Sequence, residues 1–211
     1  MADLSPIYYE PAAAASNAII TADELKGELY LAGSDEDTRV ERIVAAVTDT
    51  ISNKLGRPVR SRAYYGYFSR APKNMERLLL ALSPIRTVNG FQVYRSGAWV
   101  TLDSAVYTTR VTRLWTDPTP PPPWPVVIEP TATDGWGDLD ADEVEDPFRV
   151  EVTAGWEPVP SGIKDAAMKL CVDRFTLRGT LVDVEQYRAG TVVQTMFQDY
   201  RAPVTVRFIG R

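Results

Sequence analysis

Between Phe148 and Arg178 the sequence reads FRVEVTAGWEPVPSGIKDAAMKLCVDRFTLR, and few folds accommodate that order. Val150, Val152 and Ala154 alternate with Arg149, Glu151 and Thr153, the period of a half-buried β-strand. The strand stops at Gly155, and a turn bracketed by Pro158 and Pro160 leads to Ser161 at the N-cap position of a helix. Ile163, Ala166, Ala167, Leu170, Cys171 and Phe175 share one face of that helix, and Gly179 ends it. A strand that feeds through a rigid turn into a capped amphipathic helix points to an α+β protein.

Upstream the helical signal is stronger. Thr21 and Glu24 have the spacing of a capping box, and Leu25 and Leu29 supply a short apolar face, so a helix is expected over 21–31. Gly33 ends it. The acids from Ser34 to Asp37 favour a second helix start, and Val40, Ile43, Val44, Val47, Ile51 and Leu55 form one stripe of a helix over 35–55, stopped by Gly56 and Pro58. With the helix at 161–178, whose Ile163, Ala167, Leu170 and Cys171 complete the apolar surface, these segments predict a helical bundle. Between them, over 59–154, the period changes to two, with strand candidates at 60–68, 77–82, 88–94, 105–115, 125–128 and 148–154. Asn89-Gly90 and Ser96-Gly97 are turn signals. The fold expected is therefore a bundle of N-terminal helices and a C-terminal amphipathic helix, carrying an antiparallel β insertion and an extended C-terminal tail. Residues 1–18 read as a flexible arm, 19–179 as the domain, and 180–211 as the tail.

Composition narrows the function. The chain has 211 residues and no histidine, which removes the usual general base, the Ser and Cys triads and nearly all zinc sites. No catalytic, metal or cofactor-binding residue is expected. One cysteine, Cys171, excludes an internal disulfide and suits a reducing compartment. A net charge of −5 disfavours a dedicated nucleic-acid binder. The N-terminus has no signal-peptide pattern, and no apolar run is long enough to span a bilayer.

Several constellations carry weaker signals. Asp138, Asp140 and Asp142 alternate as calcium ligands would, but Glu143 and Arg149 stand where such a loop needs Gly and Glu, so a solvated acidic loop is expected. Asp35 and Asp37 read as cap residues rather than an acid–base pair. Tyr64, Tyr65, Tyr67 and Phe68, interleaved with Arg60, Arg62 and Arg70, have the make-up of a base-stacking platform, although strand alternation divided between core and interface explains them as well. The segment PTPPPPWP at 118–125 reads as extended polyproline-type chain, of the kind an aromatic groove takes as ligand. In the tail, Val192, Val193, Met196, Phe197 and Tyr200 fall at helical spacing beside Arg201, while Val204, Val206 and Phe208 alternate like a strand. Ordering this segment alone costs more backbone entropy than its burial gains. It is expected to dock on a partner, for example by adding a strand to an exposed edge, or to close the chain's own sheet.

Taken in order, ITADELKGEL, SDEDTRVERIVAAVTDTISNKLGRPV, SPIRTVNGFQVYRSGAWVTLDSAVYTT, VTAGWEPVPSGIKDAAMKLCVDRF and the terminal Met196 to Arg201 resemble the head-tail connector, or adaptor, proteins of tailed bacteriophages and gene-transfer particles. The resemblance runs from about Ile19 to Arg201. The Pro-rich and acidic loops, the Ala-rich N-terminus and the APVTVRFIGR end depart from it. It implies a non-enzymatic homo-oligomeric ring, commonly dodecameric, in the neck of a virion or phage-like particle assembled in the bacterial cytoplasm. Its implied partners are the portal protein, gripped by the C-terminal tail, and a stopper or tail-completion protein. DNA passes through the lumen without being read. A stopper, tail terminator or other neck protein is the alternative within such a particle, and a β-barrel core with less helix would mark it.

Overall fold

The structure is a computed structural model that describes residues 3–12, 17–73, 75–102, 109–112, 126–130, 136, 139 and 144–176. In chain order its elements are β1 (Asp3–Leu4), β2 (Tyr8–Pro11), α1 (Ala22–Glu28), α2 (Asp37–Leu55), β3 (Arg62–Phe68), β4 (Arg77–Leu80), β5 (Ile85–Arg95), β6 (Ala98–Thr101), β7 (Thr109–Thr112), β8 (Val126–Pro130), β9 (Phe148–Ala154) and α3 (Ser161–Thr176). The strands form a four-stranded sheet of order β1-β4-β8-β7 and a five-stranded sheet of order β2-β3-β9-β5-β6.

The expected helical bundle carrying a β insertion is corrected. Among the described residues the chain is a mixed α+β protein in which the two sheets form the larger body and the three helices pack beside it. The reason lies in β3 and β9, which flank the segment read as an insertion and pair antiparallel along their whole length, from Arg62↔Ala154 to Phe68↔Phe148. Their inward residues Tyr64, Phe68, Phe148, Val150 and Val152 meet Leu78, Leu80, Val126 and Ile128 of the other sheet in a core of their own. Trp136 plugs that core: its ring meets Phe91 and Phe148 edge-on, and its Nε1 donates to the Glu76 carbonyl at 2.7 Å. Within 59–154 the described strands pair antiparallel, as expected, and the parallel pair joins β1, from the N-terminus, to β4.

The N-terminal residues read as a flexible arm are in part strand. β2 pairs antiparallel with β3, Tyr8↔Tyr67 through Pro11↔Tyr64, and the ring of Tyr9 lies over Gly66, where an added Cβ would sit 2.9 Å from it. Order therefore starts well before Ile19. Asn89-Gly90 is not a turn either: it lies inside β5, where a register shift between Val88 and Gly90 makes a bulge against β9. Ser96 and Gly97, at φ +50° and +80°, do form the tight β5–β6 turn.

The helices seal a second core. Thr21 and Glu24 close the capping box of α1 reciprocally, and Gly56 ends α2 in the left-handed conformation at φ +64°. Glu36 rather than a Ser34 side chain precedes α2 and makes no side-chain cap, and the Pro160 carbonyl accepts the first bonds of α3, so Ser161 lies inside the helix. Of the helical-core residues, Val40, Val44, Val47, Ile51, Leu55, Ile163, Ala167 and Cys171 are buried, while Ile43 and Leu170 are half-buried against the same cluster. Burial pushes the Cys171 thiol up to about 12. Thr48, unremarked in the sequence, is buried too, and its hydroxyl accepts from Ile19 N at 3.2 Å.

The two cores meet at a joint. Trp156 N donates to the Val59 carbonyl, Ser61 N to the Trp156 carbonyl and Gly155 N to the Pro84 carbonyl. The chain leaving α2 and the chain entering α3 are thus hydrogen-bonded side by side.

Candidate interaction surface

Residues that alternate with the core build the outer face of the five-stranded sheet. The register sets Tyr8 beside Tyr67, Tyr67 beside Arg149, Arg149 beside Gln92 and Tyr94 beside Trp99, which brings one face's side chains from five strands together. Arg149 is the centre. Its guanidinium carbon lies 3.9 Å from the Tyr65 ring centroid and 4.1 Å from that of Trp99. Its Nε donates to Gln92 Oε1 at 2.7 Å and its Nη1 to the Tyr67 hydroxyl at 3.0 Å. Tyr8 stacks on Tyr67 with centroids 4.7 Å apart, and Trp99 meets Tyr67 and Tyr94 edge-on at 5.8 and 5.3 Å. The Tyr67 hydroxyl in turn donates to Glu10 at 3.2 Å. Burial pushes the Tyr8 phenol up to about 12, with the Asp146 carboxylate beside it adding to the shift.

This arrangement suits protein contact. A guanidinium with two rings close upon it and two nitrogens already donating is poorly presented to a phosphate. A rigid aromatic surface around an ordered arginine has the composition of protein–protein hot spots, because little side-chain freedom is left to lose on docking.

The aromatic run noted in the sequence is divided. Tyr64 and Phe68 point into the core, and Tyr65 and Tyr67 out of it. Arg60 donates to the Ala18 carbonyl, Arg62 to the Tyr64 hydroxyl and Arg70 to both oxygens of Glu76, so these three do not assemble into one stacking platform. Arg149, Trp99 and Tyr8 are brought in from distant segments. The only trace of them in the sequence is the alternation of 148–154 and the hairpin around Ser96-Gly97. Asp37 pairs with Lys26, whose Nζ also donates to the Gly33 carbonyl, so it ties α1 to α2 rather than facing Asp35. Among the described residues no group of three or more His, Cys, Asp or Glu could hold a metal, and no helix is long and apolar enough to cross a membrane. The tail residues Val192, Val193, Met196, Phe197, Tyr200, Arg201, Val204, Val206 and Phe208 lie outside the described residues. So do the polyproline segment and the carboxylates Asp138, Asp140 and Asp142.

The fold is one found in the necks of gene transfer agent particles. The chain is similar to a chain in the neck of an empty gene transfer agent particle computed with C6 symmetry, at 17% identity and a TM-score of 0.62, covering 97% of this chain and 99% of that one. It is similar to a chain in the neck of a native gene transfer agent particle computed with C12 symmetry, at 16% identity and a TM-score of 0.62 with the same coverage. A chain in the virion of a native gene transfer agent particle matches at 17% identity and a TM-score of 0.59, over 96% of this chain and 98% of that one. At such identities the likeness is one of fold. No protein-family model matches the chain, and no curated protein does.

Proposed function

We propose that the chain is a structural, non-enzymatic subunit of the neck of a phage-like particle, assembled as a homo-oligomeric ring through which DNA passes. The observation that carries this reading is the end-to-end likeness of fold, over 97% of this chain and 99% of its counterpart, to neck chains in structures computed with six- and twelvefold symmetry. Within the neck the role proposed is the head-tail adaptor, docked between the portal and a stopper or tail-completion protein. The order of the sequence motifs supports that role, as does a helical cluster in which α1, α2 and α3 all meet. The tail residues from Val192 to Phe208 are proposed to grip the portal, since an apolar tail repeated around a ring turns a weak contact into a firm one. No cofactor takes part, and assembly in the bacterial cytoplasm suits the single buried thiol.

A second neck role, stopper or tail terminator, is favoured by one observation, the two-sheet β body. Light scattering of the purified protein separates the two, measured alone, with its candidate portal and with its candidate tail-completion protein, and repeated with a chain ending at Gly190. Portal binding that is lost on truncation supports the adaptor. Binding to the tail-completion protein alone supports the second role, and a persistent monomer that ignores both discards the neck reading.

A further inference from the structure

Among the described residues one large hydrophobic side chain is exposed almost completely: Tyr30, at 95%. Its backbone is as unusual as its exposure. It follows the Leu29 C-cap of α1, its N–H donates to the Gly27 carbonyl at 3.3 Å, and the next N–H, of Leu31, reaches back to the Lys26 carbonyl at 3.0 Å. That closing turn holds Tyr30 at φ +53°, a left-handed conformation that such helix ends normally reserve for glycine or asparagine. A bulky aromatic there bears the conformational cost and gains no burial within its own chain. The flanking Leu29 and Leu31 pack into the helical cluster and fix the turn. Tyr30 is thus a preset knob. Near it in sequence stand six acids, of which Glu24, Glu36 and Asp37 are paired with Lys164, Arg39 and Lys26, leaving Asp23, Glu28 and Asp35.

The place of this knob bears on its partner. The Lys26–Asp37 pair fixes the end of α1 to the start of α2, and the other end of α2 leads into β3. Nineteen helical residues span about 28 Å, so the knob and the five-stranded sheet lie off opposite ends of α2. A closed ring needs two unlike surfaces on each copy, one to meet the other on its neighbour. The chain offers such a pair: an exposed aromatic knob beside the start of α2, and an ordered aromatic face around Arg149 beyond its other end.

We infer that Tyr30 of one copy seats against the Tyr65–Arg149–Trp99 face of the next, and that this contact joins subunits of the ring. The inference rests on the ring reading and names the surfaces that would make it.

Two measurements on the full-length protein test it. Tyr30→Gly relieves the left-handed strain, so its thermal midpoint stays level or rises, while the concentration at which half the protein is assembled rises at least about tenfold, the loss expected of an aromatic interface anchor. In a mixture of Glu28→Cys and Thr101→Cys proteins, both positions being exposed, a short bis-maleimide joins one variant to the other; Thr101 lies on the aromatic face, next to Gln92. Stable but unassembled Tyr30→Gly protein together with the mixed cross-link supports the contact. Rings that Tyr30→Gly leaves intact, or rings in which the mixture does not cross-link, overturn it while the ring reading stands. A wild-type protein that forms no ring, alone or on its portal, removes the ring reading and this contact with it.

Discussion

At Gly155 the backbone runs at φ +114°, and a Cβ added there would overlap the Arg60 carbonyl and lie 2.7 Å from Ser61 N. Both partners are backbone in the joint between the two cores, so neither can swing aside. Gly155→Ala is expected to destabilise by about 3 kcal/mol or more, as strain and overpacking add, measured as a fall in the urea midpoint. Arg57 presents the opposite case. It is 1% exposed, its Nε and Nη1 make no hydrogen bond among the described residues, and its guanidinium lies 5.8 Å from the Trp156 ring centroid. Burial holds its pKa down at about 10. Removing a buried, poorly satisfied charge in favour of an apolar side chain of similar length is often neutral or stabilising, by about 1–4 kcal/mol, so Arg57→Met is expected to leave the urea midpoint level or raise it. Glu76 contributes to the acid limb of stability. Hydrogen bonds from Arg70, at 2.7 Å to each oxygen, hold its carboxyl at about 2, below its ordinary 4.5, and Lys73 N adds a third. A depressed carboxyl stabilises fully above its unfolded value and loses that contribution as the pH falls through its folded one. Acid titration of stability should therefore steepen between about pH 4.5 and 2, and Glu76→Gln should flatten that window; an unchanged slope would remove Glu76 from the account.

The strand least legible in the sequence is β2. Four residues with two tyrosines and a proline give no alternation to read, and what makes them a strand is non-local: the Tyr8 ring stacking on Tyr67 and the Tyr9 ring covering Gly66. Deleting residues 1–11 would expose the edge of β3 and open the core at Tyr9, which is 2% exposed. A loss of about 3 kcal/mol or more is expected from the aromatic cavity alone, whereas a flexible arm would leave the melting midpoint where it was. The long elements fared differently. α2 and α3 announce themselves by apolar period and end signals, and β3, β5 and β9 by alternation, because each is long enough for its own sequence to state which face is buried. Partners are another matter. The pairing of β3 with β9 joins residues eighty or more apart, and the bulge at Asn89-Gly90 is decided by β9, with Asn89 Nδ2 donating to Thr153 at 3.1 Å. The same limit governed the surface: Tyr65 and Tyr67 could be named as candidates, but Arg149 between Tyr65 and Trp99 exists only once β3, β9, β5 and β6 are in register.

At the scale of the whole molecule, the two cores communicate through a narrow seam. Arg60 bridges Trp156 in parallel, Val59 and Trp156 both lie in the helical cluster, and Gly155 N binds the Pro84 carbonyl at the head of β5. A seam of backbone bonds flanked by one large ring transmits unfolding from either core to the other, so the described body should melt as a single cooperative unit. Trp156 is 2% exposed and supplies the ring. Trp156→Ala keeps the backbone bonds available but leaves a cavity worth about 3–5 kcal/mol, and that loss falls on the helical cluster, since the β core is sealed separately by Phe91, Trp136 and Phe148. The expected outcome is a split transition: far-ultraviolet helical signal lost first, near-ultraviolet aromatic signal from the Tyr65–Trp99 face lost later, where in the wild type the two coincide. Coincident curves in the variant would mean that the cores share more than this seam.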